Sequence, residues 1–387
     1  MSRAREAINL REKALLVQVM VGRQRKDQAA DSLAELERLS DTAGAVVVGG
    51  VTQRRDRPTP NFFIGEGKLP EIQLACRETG ARVVIFDNEL TPIQVNNLDL
   101  SLGIKVIDRT ELILQIFARR ARSAEAQIQV ELAQLQYLIS RIPVSEKQAR
   151  FSGGIGMRGP GESPLQLRNE PMRRRIRELQ RKLTAIQDRR RLTRRRRPWP
   201  LVCLVGYTNA GKSTLLNAFA AADAYVDDRL FATLDTKTRL IHLPDDRNVL
   251  LTDTVGFIRH LPHGLIASFQ STLEEVGEAD LLLHVADASH AYVEEHCQVV
   301  ADTLKEIKAD AVPVLLLFNK SDCPEAQAAL PLLLQKFPAA IPVSAIRREG
   351  LAELKQLLVA RIPVQGERYR PRRPAEPAAE DGLAWES

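Results

Sequence analysis

The sequence predicts an α/β protein: a doubly wound, mainly parallel sheet, preceded by a smaller α/β domain and an antiparallel helical hairpin. Three observations carry that reading. Short Val/Ile-rich runs alternate with polar, helix-compatible stretches through the first third of the chain. Two heptad-spaced apolar stripes follow. The run "LVCLV" (Leu201–Val205) then leads straight into a glycine-bracketed loop and a helix-compatible stretch, with further apolar runs after it.

A chain of 387 residues is long enough for two or three cores, and 44% hydrophobic with 27% charged residues is ordinary for a soluble globular protein. Cys76, Cys203, Cys297 and Cys323 are far apart and form no CxxC pair. This spacing suits a reducing compartment and argues against a disulfide framework or a zinc site. His260 and His263 form an HxxH without nearby cysteines and read as loop histidines. The start "MSRAREAINLREKALL" is charged throughout, unlike a signal peptide, and no run approaches the roughly 20 apolar residues that span a bilayer. A cytoplasmic monomer with no membrane span, and at most a loose membrane association, is expected.

Residues 1–120 form the first expected domain. "ALLVQV", "GAVVVGGV", "RVVIFD" and "IKVID" read as strands, with "QAADSLAELERL" and "LPEIQLACRETG" as helices between them. "GEGK" (Gly65–Lys68) is too short to be a phosphate loop by itself and reads as a tight turn entering a helix. Residues 121–198 change rhythm. Ile128, Leu132, Leu135, Ile139 and Ile142 are spaced four, three, four, three, and Met172, Ile176, Leu179, Leu183 and Ile186 repeat the pattern. Two such stripes predict paired helices. The connector "FSGGIGMRGPGESPLQ" is longer than an antiparallel pair requires, and its glycines break any regular element. It reads as a flexible tip, and Pro164 and Pro171 are expected to delay or kink the second helix. Residues 199–363 form the last domain, and the proline-rich, aliphatic-poor tail 364–387 is expected to be disordered.

Charge is uneven along the chain. Between Arg173 and Arg197 stand twelve arginines and Lys182 against Glu178 and Asp188, a net +11. The whole chain is +6, so the remainder is mildly acidic at −5. A single-sign field this dense points to a polyanion, and nucleic acid is the usual one. Candidate RNA contacts are Gly153, Gly154, Arg158, Gly159 and Gly161 of the tip, with Arg173, Arg174, Arg175, Arg177 and Arg181 of the basic helix.

The last domain carries chemistry. Gly206, Tyr207, Thr208, Asn209, Ala210, Gly211, Lys212, Ser213 and Thr214 spell a phosphate loop between a strand and a helix. Its glycines let backbone N–H groups turn inward at a helix N-terminus, where anions are favoured. Lys212 supplies charge to the outer phosphates, and the Ser213 hydroxyl is a Mg2+ ligand. The run "VLLTDTVG" brings Asp253, Thr254, Val255 and Gly256 to a strand end. Asp253 reaches Mg2+ through water, and the Gly256 N–H can sense the terminal phosphate. Asn319, Lys320, Ser321 and Asp322 end another apolar strand, where the aspartate can accept two guanine N–H donors that adenine does not present. Ser344, Ala345 and Ile346 put backbone groups near the guanine O6. In "RLFATLDTKTR", the stretch Phe231, Ala232, Thr233, Leu234 and Asp235 is the natural cover for the nucleotide. Thr233 is its candidate Mg2+ and γ-phosphate ligand, with Thr236 and Thr238 as rivals. Lys212, Thr233 and Gly256 are the expected catalytic groups for GTP hydrolysis to GDP. Phe257 stands where many GTPases carry a water-orienting glutamine. Its apolar ring cannot align water, so intrinsic turnover should be slow and partner-dependent.

These residues resemble the HflX family of translational GTPases, within the group that includes Era- and Obg-like proteins. The resemblance covers roughly residues 12–363 and rests on "FIGEGK", "VIDRTELILQIFARRARSAEAQIQVELAQLQYL", "GGIGMRGPGE", "GYTNAGKSTL", "LFATLDT" and "DTVGFI". It implies a P-loop GTPase that binds the large (50S) ribosomal subunit and its rRNA and splits stalled or idle 70S ribosomes, with the glycine-rich tip reaching toward the peptidyl-transferase region. It also implies a K+ role beside Asn209, for which a loop-stabilising hydrogen bond is the equal alternative. Two other readings remain open from the sequence: a ribosome-assembly or tRNA-modification GTPase of Era-like type, and a non-enzymatic RNA-binding adaptor. The family usually continues "GPGETQLE" where this chain has "GPGESPLQLRNEPMRRR", so the tip geometry is the least transferable part.

Overall fold

The computed structural model describes residues 12–141, 164–194, 198–220, 230–231, 234–259 and 275–362. Gly153, Gly154, Arg158, Gly159, Gly161, Ala232, Thr233, His260, His263 and the tail therefore lie outside the described residues. The chain divides into two compact units. One holds residues 1–187 with 227–235 and 260–269; the other holds 188–226, 236–259 and 270–387.

The first unit is built on a four-stranded, all-parallel sheet in the order β2-β1-β3-β4. Its strands are β1 (Lys13–Val21), β2 (Val46–Arg55), β3 (Val83–Phe86) and β4 (Lys105–Asp108). Val83, Val84, Ile85 and Phe86 are fully buried, as expected of a central parallel strand covered on both faces. The helices are α1 (Lys26–Thr42), α2 (Lys68–Thr79), α3 (Pro92–Leu102) and α4 (Arg109–Arg120). Local chemistry sets their limits. Gly65–Lys68 closes a turn through Lys68 N to Gly65 O (2.9 Å) and opens α2. Thr91 and Gln94 form a reciprocal capping box before α3, with Pro92 in the first turn. Asp108 caps α4 by accepting from Glu111 N.

Buried charge in this unit is spoken for. Arg109 pairs with Asp87 (2.6 Å) and Glu35 (3.1 Å), and Asp87 also accepts from Gln18 and Ser32. Asp108 accepts from Tyr137 Oη and pairs with Arg141, and the neighbouring Asp108 and Glu111 carboxylates join burial in pushing the Tyr137 phenol upward. This network is one that a missing member would leave uncompensated.

The hairpin helices are α5 (Ala124–Ser140) and α6 (Pro164–Arg194). Leu132, Leu179 and Leu183 form a small core, with Ile128, Leu135 and Ile176 packed against it. Six of the heptad positions thus meet as their spacing requires. Helix α6 departs from expectation at its start. It begins at Pro164, a first-turn position where the missing N–H is unused, and continues through Pro171. Ser123 caps α5 by accepting from Ala126 N.

The second unit is a six-stranded sheet in the order β10-β9-β8-β5-β7-β6. Its strands are β5 (Leu201–Val205), β6 (Lys237–His242), β7 (Asn248–Asp253), β8 (Leu281–Asp287), β9 (Val314–Asn319) and β10 (Ile341–Pro342). All pairs are parallel except β6 with β7. Helices α7 (Lys212–Phe219), α8 (Val293–Glu306), α9 (Pro324–Lys336) and α10 (Leu351–Arg361) complete it. Val202, Leu204, Leu215, Leu283, Leu317 and Leu354 lie in one continuous core. Strand β5 sits between β7 and β8, so chain connections leave it in opposite directions. That is where a doubly wound sheet opens a crevice at its carboxyl edge.

Candidate nucleotide site

Strand β5 delivers the loop Gly206–Gly211 to that crevice. Gly206 has φ +152°, and a Cβ there would lie 2.2 Å from Val285 O, so only glycine fits. Asn209 takes a left-handed conformation (φ +59°) with an exposed side chain. Its amide stands at the turn of the loop, outside the core.

Lys212, in the first turn of α7, folds back over the loop. Its ammonium donates to Gly206 O (3.0 Å) and Tyr207 O (2.7 Å). Two carbonyls fix the head, and a lysine ammonium has a third donor to offer. Burial pulls its pKa down to about 8, against the opposing pull of Asp253. Loss of water is the larger cause, so an anion arriving here would find an under-solvated cation. Ser213 Oγ donates to Asp253 Oδ2 (2.6 Å), which brings a hydroxyl and a carboxylate together where α7 meets the end of β7. Those are hard oxygen donors of the kind Mg2+ takes, so the residues fit the ion. Thr254 Oγ1 donates to Leu204 O (2.6 Å), and the Thr208 hydroxyl is buried with no protein partner among the described residues. Thr214 is half-buried in the same first turn, and Val255 is buried.

Asn319 acts as a strut between the phosphate loop and the base-recognition end. Its Nδ2 donates to Ala210 O (2.8 Å), and its Oδ1 accepts from Ala345 N (3.0 Å). Lys320 has φ +64° and pairs with Asp287 Oδ2 (2.6 Å). Asp322 accepts from Ser344 Oγ (2.7 Å), with Arg347 3.8 Å away, and Ser321 N donates to Val343 O. Ile346 is exposed. Sequence reasoning missed Asp287 and Arg347. Asp287 ends β8 in "HVADAS", and its position at a strand terminus was the available signal.

Some expected site residues do other work. Phe231 stacks edge-on against Phe117 (4.7 Å, 84°) within the first unit. Asp235 accepts from Arg122 N (3.1 Å), Ser123 N (3.2 Å) and Ser123 Oγ at the start of α5, and Leu234 is buried. Thr238 belongs to β6, with its hydroxyl bonded to that of Thr252 (2.8 Å), which removes it as a rival to Thr233. Arg175 is also reassigned. It clamps the hairpin through Glu131 (2.7 and 3.0 Å) and Glu178 (3.0 Å), so its guanidinium is committed within the protein. Arg177 pairs with Glu170 (2.5 Å), whereas Arg173, Arg174 and Arg181 are exposed along α6. Among the described residues no helix is long and apolar enough to cross a membrane.

Known proteins show the same arrangement. Residues 30–118 match the family model for a GTP-binding GTPase N-terminal domain, 120–197 that for the GTP-binding GTPase middle region, and 201–320 that for a 50S ribosome-binding GTPase. The chain is 48% identical over 315 residues to GTPase HflX of Alkalihalophilus pseudofirmus, across 80% of this chain and 74% of that protein. It is 43% identical over 356 residues to GTPase HflX of Escherichia coli, across 91% and 83%. A crystal structure of SsGBP with GDP covers 90% of this chain and 98% of its own, at 26% identity and a TM-score of 0.50. With N-terminal, middle and GTPase regions that all match, and relatives 43–48% identical over most of its length, the chain belongs to the HflX family of GTP-hydrolysing GTPases.

Proposed function

We propose that this GTPase binds the large (50S) ribosomal subunit and separates stalled or idle 70S ribosomes into subunits. The observation that carries the reading is the arginine face of α6, where Arg173, Arg174 and Arg181 are exposed on a helix whose partner surface is already packed. Counterion release from a phosphate backbone is the natural reward for such a face. The description of the matching family, a 50S ribosome-binding GTPase, supports the choice of RNA. The glycine-rich tip, with Gly153, Gly154, Arg158, Gly159 and Gly161, is assigned to the same contact.

In this reading Lys212 cradles the outer phosphates and Asp322 reads guanine. Ser213, Asp253 through water, and Thr233 would hold Mg2+, which supplies charge neutralisation between the outer phosphates. Gly256 N–H meets the terminal phosphate. Phe257, which is buried, orients no water, so the ribosome supplies what accelerates hydrolysis. Asn209 is assigned a K+ beside the phosphates. GTP turnover would then be faster in K+ than in Na+, and equal rates would remove that assignment.

The deciding experiment compares GTP turnover of the full chain alone, with purified 50S subunits and with free tRNA, followed by sedimentation of 70S particles. Stimulation by 50S with loss of the 70S peak is expected. Stimulation without dissociation would favour a role in assembly, and stimulation by tRNA alone would favour RNA modification. No stimulation by any of them would leave an adaptor.

A further inference from the structure

The segment that carries Gly256 is fastened to the phosphate loop at more points than hydrolysis chemistry itself requires. Phe257 N donates to Gly206 O (3.1 Å), and Phe257 O accepts from Thr208 N (2.8 Å). Two residues on, Arg259 N donates to the Tyr207 hydroxyl (2.9 Å). Tyr207 is itself held, its ring stacked on His296 at 3.8 Å and 5°. The Arg259 guanidinium pairs with Glu295 (3.0 Å) and lies over the Tyr292 ring (5.6 Å). Tyr292, Glu295 and His296 all stand at the N-terminal end of α8. The consequence is seen at Gly256. A Cβ there would lie 2.9 Å from Thr208 Cα and 3.0 Å from Lys212 Nζ, so the glycine is pressed against the ammonium that meets the phosphates.

We propose that Arg259, with Tyr207 and Glu295, is a positioning latch that holds the Gly256 N–H ready for a third phosphate. The latch acts on GTP binding and hydrolysis and does not depend on the ribosomal reading. Arg259 is not a catalytic finger in this arrangement, because its guanidinium is committed to Glu295 and Tyr292. A preorganised donor is worth having only for the ligand that uses it. GDP has no third phosphate to meet Gly256, so the latch should discriminate between the two nucleotides.

The test titrates fluorescent mant-GDP and mant-GppNHp, both with Mg2+, into the full chain and its Tyr207→Phe, Glu295→Gln, Arg259→Lys and Arg259→Ala variants. Losing one such hydrogen bond should weaken the triphosphate analogue about three- to tenfold more than it weakens GDP. Arg259→Lys should fall between the parent and Arg259→Ala, because it keeps the charge and loses the planar fork. Equal weakening of both nucleotides would show a merely structural role and overturn the proposal, as would no weakening of either. Faster GTP turnover in Glu295→Gln would also overturn it, by showing that a released Arg259 does chemistry. Should the Arg259 or Glu295 variants fail to fold, Tyr207→Phe decides alone, since it removes one oxygen and keeps the stacked ring.

Discussion

At Asp322, the proposed reader of guanine, one carboxylate is held by Ser344 Oγ (2.7 Å). Guanine offers it two donors, and an amide keeps one acceptor but sets its own N–H against the second donor. Asp322→Asn should therefore weaken GTP by about 100-fold in a competition titration. It should improve XTP, whose C2 oxygen accepts what the new amide donates. His284 gives a different kind of prediction. It lies buried on β8, and burial first, then the Lys212 charge, lowers its pKa to about 4. The unfolded chain takes up that proton near pH 6.5 and the folded chain only near 4. The sign follows: stability is complete above pH 6.5 and lost as pH falls toward 4. Between pH 7 and 5 the loss should be about 2 kcal/mol by denaturant unfolding, and His284→Gln should remove that increment. An equal pH dependence in parent and variant would rule out His284 as its source. That Ser213 would meet Asp253, and Ser344 meet Asp322, was legible because each stands in a short motif at a strand end. The pairings of Asp287 and Glu295 were not, since their partners Lys320 and Arg259 lie 33 and 36 positions away, although the strand end at Asp287 was itself a signal.

The hairpin shows the same division at the level of elements. The heptad stripes announced α5 and α6, and the core of Leu132, Leu179 and Leu183 is what that period produces. Pro164 does not delay α6, because it sits in the first turn where its missing N–H is unused, and the helix runs on through Pro171. Arginine density, for its part, could not say which arginine faces out. Arg175 spends its guanidinium on Glu131 and Glu178, and that pair links α5 to α6 on a partly exposed surface. Arg175→Ala should change unfolding little, as exposed ion pairs do, and leave RNA affinity nearly unchanged. Arg174→Ala and Arg181→Ala should instead weaken binding to 50S subunits and each lower the salt-dependence slope by about one. A larger binding loss at Arg175 than at Arg181 would reverse this assignment. Leu179, 1% exposed, should cost about 2–5 kcal/mol of hairpin stability when cut to alanine.

Across the whole molecule the question is how a phosphate at one end of the chain's chemistry reaches an arginine-rich arm. Covalent continuity supplies a route. The chain passes from the first compact unit to the second between Asp235 and Thr236. Asp235 accepts the backbone N–H groups of Arg122 and Ser123 and the Ser123 hydroxyl, at the N-terminus of α5, where a carboxylate is favoured by the helix dipole. Phe231 anchors the other end of the same stretch on Phe117. Thr233, the proposed magnesium and γ-phosphate ligand, lies between the two anchors in sequence. Asp235 thus holds Ser123, the residue that caps the arm's first helix, and it follows the proposed Thr233 ligand by two positions in the sequence. Asp235→Ala should leave the Ser123 cap in place but remove the carboxylate that orients it, a modest loss of α5 stability. Its larger effect should be on coupling. In co-sedimentation with 50S subunits the parent should bind more tightly with GppNHp than with GDP or with no nucleotide, and the variant should lose most of that ratio. Were the parent to bind equally in all three conditions, no switch would exist to transmit. Were Asp235→Ala to keep the parent's ratio, the signal would have to leave the nucleotide site by another path, and the latch at Arg259 would be the next element to examine.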